Sequence, residues 1–377
     1  MSFVETTAQG ELQEAARATV RDVITPIAAG IGPQQKLGGD DLRTIFRALQ
    51  PLGYLGSTIP RELGGAGLSY VDYGLLLEAL AEGPVVLGEI VPPRTINYLG
   101  NDEQRRRWLP RLFSGDWIST AAITEPQAGS DMRNFKTTAV LDGDAYVVTG
   151  VKRWLKLGGV ADLITLMVVD ARGGLSRLVV EREVSPWSSR EIDTVGLKNI
   201  SLAEITFDNV RVPRENLLGA AGGGDEQFHR GIEASRAFIG SYAVGLARHA
   251  LGIATAYAKE RTAFGRPIAR FQAVQTAIAD AVTRVEAARV LCLNALSILD
   301  SGKRAPREVS MAKLYAVETG IAACQTAMES MGAWGLSVEA GVERCWRDCI
   351  MLTAIDGTAN VQRLIIGRET LGVAAFT

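Results

Sequence analysis

The spacing of apolar positions along this chain changes twice. From residue 11 to about 118, apolar residues recur at three- and four-residue intervals, the repeat of an amphipathic helix. Residues 11–24 open such a pattern, and Pro26 is expected to end it because proline has no N–H to donate. Residues 40–52 carry Leu42, Ile45, Phe46 and Leu49 at helical spacing, and 70–81 resume a helix after the glycine-rich stretch 60–67. Asn101 is placed to cap a helix whose first turn holds Asp102 and Glu103. The stretch 89–98 reads as a loop, because Pro92 and Pro93 disfavour helix there.

Near residue 119 the pattern shortens to β-rich runs divided by Asp/Gly turns. Residues 136–141 and 145–150 flank Asp142-Gly143-Asp144, a hairpin signal. Further strands are predicted at 163–169, 178–181 and 204–207, with 210–213 closing the section. From Glu226 the helical repeat returns in long elements at 226–262, 272–301, 307–331, 339–354 and 358–371, divided by glycines and Pro267. The reading is an α+β chain in three parts: a helical domain at 1–118, a β domain at 119–225 and a helical bundle at 226–377.

With 47% hydrophobic and 22% charged residues over 377 positions, the composition is that of a soluble globular protein. A net charge of −2 gives no global field for nucleic acid or an anionic membrane. The N-terminal ten residues lack a secretory pattern, and charges interrupt the apolar runs before a membrane span is reached, so a cytoplasmic location is expected. Cys292, Cys324, Cys345 and Cys349 are expected to be buried free thiols, and with only His229 and His249 no zinc spacing is present.

One break in the bundle pattern carries candidate chemistry. At Ala354-Ile355-Asp356-Gly357-Thr358-Ala359-Asn360, an acid, a glycine and a hydroxyl residue separate two helical segments. A carboxylate there is either a positioned base or a helix cap. Three other motifs precede it: Ile123-Thr124-Glu125-Pro126-Gln127-Ala128-Gly129-Ser130-Asp131, Arg153-Trp154-Leu155-Lys156-Leu157-Gly158-Gly159, and Glu260-Arg261-Thr262-Ala263-Phe264-Gly265-Arg266-Pro267. In this order and spacing, from about residue 11 to Gly372, the chain resembles the acyl-CoA dehydrogenase family.

The resemblance implies an all-α N-terminal domain, a central β-barrel-like domain and a C-terminal four-helix bundle. It implies FAD, no metal, an acyl-CoA or acyl carrier protein thioester as substrate, and an acceptor such as an electron-transfer flavoprotein. A homotetramer or homodimer is implied, with a neighbouring subunit completing the flavin site. Asp356 stands at the position of the α-proton base, usually a glutamate, one methylene longer. Ser235 stands at the alternative position of the base and is no base; Glu233, two residues away, faces elsewhere. Arg236 matches an arginine beside the acyl-CoA pocket. Ile123, Thr124 and Ser130 match flavin- and thioester-contacting positions, and Trp154 an aromatic beside the flavin ring. Arg261, Thr262 and Phe264, with Gln272 and Gln275 nearby, match the group for the FAD pyrophosphate and adenine. Gly332, Ala333, Gly335, Thr358 and Asn360 match further cofactor positions.

Three departures matter. Lys156 replaces a hydroxyl residue beside flavin N5, either placing a cation at the ring or turning away into a salt bridge. Glu329 replaces a glutamine near the FAD phosphates, and Ala121 a larger residue near the flavin. Arg94 and Glu89 lie near the expected acyl pocket, Arg94 as a receptor for a substrate carboxylate and Glu89 as a second acid or base, unless both are loop charges. The departures suit an atypical acyl group. A flavin monooxygenase on the same fold and a binding protein with a degenerate flavin site are the competing readings.

Overall fold

Thr6 accepts from the Gln9 amide while the Gln9 side chain accepts from the Thr6 amide, and this capping box starts α1 (Thr7–Thr19). The computed structural model describes residues 4–32 and 35–375, the side chains of 225–230 excepted, so the His229 side chain lies outside it. Pro26 does not end the first helix. The π-turn Val20–Ile24 leads into α2 (Thr25–Ile31), where Pro26 sits in the first turn and no N–H is required. Next come α3 (Gly39–Leu49), α4 (Tyr70–Leu80), α5 (Val91–Leu99) and α6 (Asp102–Phe113). Helix α5 replaces the loop expected at 89–98. Its prolines lie in the opening turn, where their fixed φ suits a helix and their missing donors cost nothing.

The middle of the chain forms β1 (Ser119–Ala122), β2 (Thr138–Asp142), β3 (Ala145–Lys156), β4 (Leu163–Asp170), β5 (Leu175–Glu181), β6 (Ser188–Glu191), β7 (Leu202–Pro213) and β8 (Leu217–Leu218). Strand order is β6-β7-β3-β2-β4-β5-β8, with β1 parallel to the first half of β4 and β2 to its end. The terminal strands β6 and β8 do not pair with each other. The sheet is therefore open, and the expected barrel is not closed. Pairing of β3 with β7 is interrupted between Lys152 and Leu155. This irregularity turns Trp154 into a left-handed backbone (φ 68°), half exposed.

The long helices are α7 (Gly224–Glu260), α8 (Gln272–Asp300) and α9 (Pro306–Ser330), with the small hairpin β9 (Thr262–Ala263) and β10 (Arg266–Pro267) between the first two. Two shorter helices, α10 (Val342–Met351) and α11 (Ala359–Leu371), pack against α9. These five helices correspond to the five elements expected from the periodicity and make up the C-terminal helical domain. One stretch, Gly231–Glu260, has the length and hydropathy of a membrane span, which the apolar-run reading had not predicted; 72% of its apolar window is buried within the fold. All four cysteines are free and buried. One apolar core runs from α1 through α4 to α9 and α10, and a separate one lies within the sheet.

Candidate active site

The Asp356–Gly357 break lies between α10 and α11, and three helices reach it. Arg236 of α7 donates through Nε to the Asp356 carbonyl at 3.2 Å. Gln362 of α11, fully buried, donates through Nε2 to the carbonyls of Asp356 (3.1 Å) and Gly357 (2.9 Å). Lys313 of α9, 2% exposed, donates to the Gly357 carbonyl. Asp356 is held left-handed at φ 52°, which a non-glycine residue adopts at a cost of about 1–2 kcal/mol. At Gly357 (φ 95°) an added Cβ would stand 3.0 Å from Gln362 Nε2, so the glycine makes room for the clamp.

Helix α11 is capped by Thr358, whose hydroxyl accepts from the Val361 amide at 3.5 Å. Among the described residues, the Asp356 carboxylate accepts no hydrogen bond and forms no ion pair within 4.0 Å. It is not a cap. Burial raises its pKa, Lys313 opposes this, Glu89 adds to it, and Arg236 and Arg94 oppose it further.

The second half of the site comes from the N-terminal helices and the sheet. Arg94 donates through Nε to Glu89 at 2.7 Å, through Nη1 to the Gly231 carbonyl at 2.8 Å and through Nη2 to Ser235 Oγ at 2.8 Å. Ser235 Oγ donates to the other Glu89 oxygen at 2.6 Å. Burial opposes the Arg94 charge, but the Glu89 carboxylate outweighs it and raises the Arg94 pKa. Lys156 ends β3 and donates to the carbonyls of Gly88 and Glu89, each at 2.9 Å. Burial brings its pKa down to about 8, against the opposing pull of Glu89 and Asp356. The ammonium bonds main-chain oxygens, within the field of both carboxylates. Glu233 turns away to accept from Arg304 Nε at 2.6 Å.

Asp356, Arg236, Lys156, Glu89 and Arg94 are thus brought together. Sequence reasoning missed Lys313. Its signal is legible in retrospect: it shares the buried helical stripe of Val309, Ala312, Ala316 and Val317. The other candidates form separate surfaces. Thr124 accepts at its carbonyl from the Arg153 amide at 2.8 Å, tying the 123–124 segment to the Trp154 bulge. Ile123 is partly buried beside it, and Ser130 is exposed. Behind this segment Glu125 accepts from Lys152 Nζ at 2.8 Å and from the amides of Lys136 and Thr137. Arg261, Phe264, Gln272, Glu329, Gly332, Thr358 and Asn360 are all exposed. Phe264 is 95% exposed on a left-handed turn (φ 50°). Glu329 accepts from Gln325 Nε2 at 2.8 Å.

The half-exposed Trp154 on its bulge, with main-chain and hydroxyl groups at 123–124, fits a flat aromatic cofactor. Arg261 and Phe264 present an exposed cation and an exposed aromatic face.

A helical domain, an open sheet and a helical bundle around a half-buried carboxylate, without a partner among the described residues, are the arrangement of a flavoprotein dehydrogenase. Family models confirm the class. The acyl-CoA dehydrogenase N-terminal, middle and C-terminal domains match residues 6–116, 120–210 and 222–371. The chain is 33% identical to a probable acyl-CoA dehydrogenase, YngJ, of Bacillus subtilis (strain 168), over 98% of this chain and 100% of that protein. It superposes on a glutaryl-CoA dehydrogenase from Mycobacterium smegmatis in complex with FADH2 with a TM-score of 0.92 at 26% identity, covering 99% and 97% of the two chains. A prolyl acyl carrier protein oxidase, AnaB, matches with a TM-score of 0.88 at 27% identity, over 98% and 100%. The chain belongs to the acyl-CoA dehydrogenase family. It is an oxidoreductase with FAD as its cofactor.

Proposed function

We propose that this protein catalyses α,β-dehydrogenation of an acyl thioester carrying a polar or charged acyl group, with Asp356 as the base. The observation that carries the reading is the Asp356 carboxylate, raised in pKa and without a hydrogen-bond partner among the described residues. A thioester α-proton is weakly acidic, so its removal needs a positioned carboxylate and nearby positive charge for the enolate-like oxygen. Asp356 takes the α-proton, while Arg236, Lys313, Lys156 and Arg94 offset the negative charge that develops. FAD, when bound, accepts the hydride leaving the β-carbon. Ile123, Thr124 and Trp154 hold its ring, and Arg261, Phe264, Gln272, Gly332, Thr358 and Asn360 its nucleotide end.

Aspartate is a methylene shorter than glutamate, and a misplacement of about 1 Å can cost on the order of 10²-fold in rate. The left-handed backbone at Asp356 and the clamp on its carbonyl support a compensated position. Glu89, Arg94 and Ser235 are poor neighbours for an alkyl tail, which would strip water from charged groups without replacing it. They suit a polar acyl substituent such as a carboxylate, bound through Arg94. Ser130 contacts the thioester. The carrier, CoA or an acyl carrier protein, is part of this proposal, as are an electron-transfer flavoprotein as acceptor and a cytoplasmic location.

Exposure of Phe264 and Arg261 supports a homo-oligomer, homotetramer or homodimer, in which a second copy covers the nucleotide end. Glu329, the strongest argument for a degenerate flavin site, is exposed and bonded to Gln325, which supports an intact one. The test is an anaerobic titration of the flavoprotein with acyl-CoA and acyl carrier protein thioesters, plain and polar, following loss of the oxidised flavin band. Bleaching by a polar acyl thioester, abolished in Asp356→Asn with FAD still bound, is the expected result. Bleaching only by an external flavin reductant, with oxygen-coupled hydroxylation, would favour a monooxygenase instead.

A further inference from the structure

We propose that Lys313 is the positioning residue for Asp356, fixing the Asp356–Gly357 turn through the Gly357 carbonyl and supplying the counter-charge to the carboxylate. The inference rests on Asp356 being the base and goes beyond it to a residue on another helix.

The turn is irregular backbone that α10 and α11 do not determine. Its two carbonyls accept from Arg236, Gln362 and Lys313, one side chain from each of α7, α11 and α9. Arg236 and Gln362 already fasten the Asp356 carbonyl, and Gln362 reaches the Gly357 carbonyl as well. A clamp alone would be served by a neutral donor at position 313. A buried ammonium is the costlier choice, because desolvation disfavours its charge. Burial in fact lowers the Lys313 pKa to about 8, with Asp356 pulling it up and Arg236 pushing it down. The charge is retained where its main attraction is Asp356. The groups facing Asp356 are Glu89 and Arg94 from the α5 region, Lys156 from β3, Arg236 from α7 and Lys313 from α9. Arg94 is engaged by Glu89 and Lys156 by two carbonyls; Lys313 is the strongest of the charges that favour ionised Asp356.

The experiment compares Lys313→Arg, Lys313→Gln and Lys313→Met by the pH dependence of anaerobic flavin bleaching, with FAD content as the folding check. Loss of the cation makes Asp356 harder to ionise. The acid limb of the profile is expected to move up by about one pH unit in the glutamine and methionine variants, a tenfold change in the ionisation equilibrium. Lys313→Arg should stay near the parent. Equal profiles for the arginine and glutamine variants would overturn the proposal, since a pure clamp distinguishes donors and not charges.

A second readout does not depend on activity. Asp356→Asn is introduced into the parent and into Lys313→Gln, and thermal midpoints are compared at pH 7. The substitution should raise the midpoint by about 2 °C more in the glutamine background, where the carboxylate lacks its counter-charge. An additive cycle refutes the coupling. Bleaching retained in Asp356→Asn would instead refute the base assignment, and the thermal cycle would still report on Lys313.

Discussion

The Lys156 ammonium donates to the Glu89 carbonyl at 2.9 Å, while the Glu89 carboxylate accepts from Arg94 and Ser235. The end of β3 thus anchors the segment that presents the polar cluster beside Asp356. A lysine at this position holds the 88–89 segment as well as adding to the charge balance around Asp356. Lys156→Thr should release residues 88–89 and raise KM for a responsive polar thioester about tenfold, equivalent to about 1.4 kcal/mol. The limiting rate of flavin reduction should change less. Stopped-flow reduction across substrate concentrations separates the two effects.

The Glu89–Arg94 pair is nearly enclosed, with side-chain exposures of 6% and 15%. Removing one partner leaves the other charge buried alone, so Arg94→Met should destabilise by about 3–5 kcal/mol. Glu89→Gln combined with Arg94→Met should cost less than the sum of the two single changes. Denaturant unfolding of the single and double variants, each with FAD bound, measures the coupling.

Asp356 should show the trade of stability for function. Its folded pKa is raised, mainly by burial, so above the usual carboxylate range the folded protein carries a charge it disfavours. Between the unfolded and the raised value the folded state binds more protons, and stability falls as pH rises. Asp356→Asn should therefore raise the thermal midpoint at pH 7, with the gain vanishing below about pH 4. Flavin bleaching by substrate should be lost at both values.

The same charges shape the activity profile. Flavin reduction should rise with pH as Asp356 ionises, from above the usual carboxylate range. It should fall as Lys156 and Lys313 lose protons near their value of about 8. Single-turnover bleaching rates from pH 5 to 9.5 give this profile, and Lys156→Met should flatten its basic limb.

Behind the 123–124 segment, burial opposes the Glu125 charge, but Lys152 and the backbone donors hold its pKa down to about 2. The stabilisation is present above the unfolded value and is lost as pH falls toward 2. Lys152→Met strands a buried carboxylate and should cost about 3 kcal/mol or more. FAD content should drop with it, because Glu125 organises the 123–137 segment. Thermal unfolding and flavin absorbance at pH 7 check both.

Much of the architecture was legible because periodicity reports which faces are buried. The hairpin around Asp142-Gly143-Asp144 and the five C-terminal helices follow from it. Prolines misled at 26 and at 92–93, since their effect depends on whether they fall in a first turn, and local sequence does not show where a turn begins. Closure of the sheet was equally out of reach, because strand spacing says nothing about whether β6 and β8 meet.

The sequence by itself determined that an acid, a glycine and a hydroxyl interrupt the bundle at 356–358, and that flavin-type motifs precede them in order. It left Asp356 as base or cap, because both use a carboxylate at a helix break. The tertiary structure removed the cap reading: Thr358 satisfies the helix amide, and the Asp356 carboxylate lies among charges from α7, α9, the α5 region and β3. Those charges are distant in sequence and their field depends on distance and burial, so Glu89 and Arg94 were legible as candidates, while their bonding to each other and to Ser235, and the place of Lys313 beside Asp356, emerge only in the folded chain.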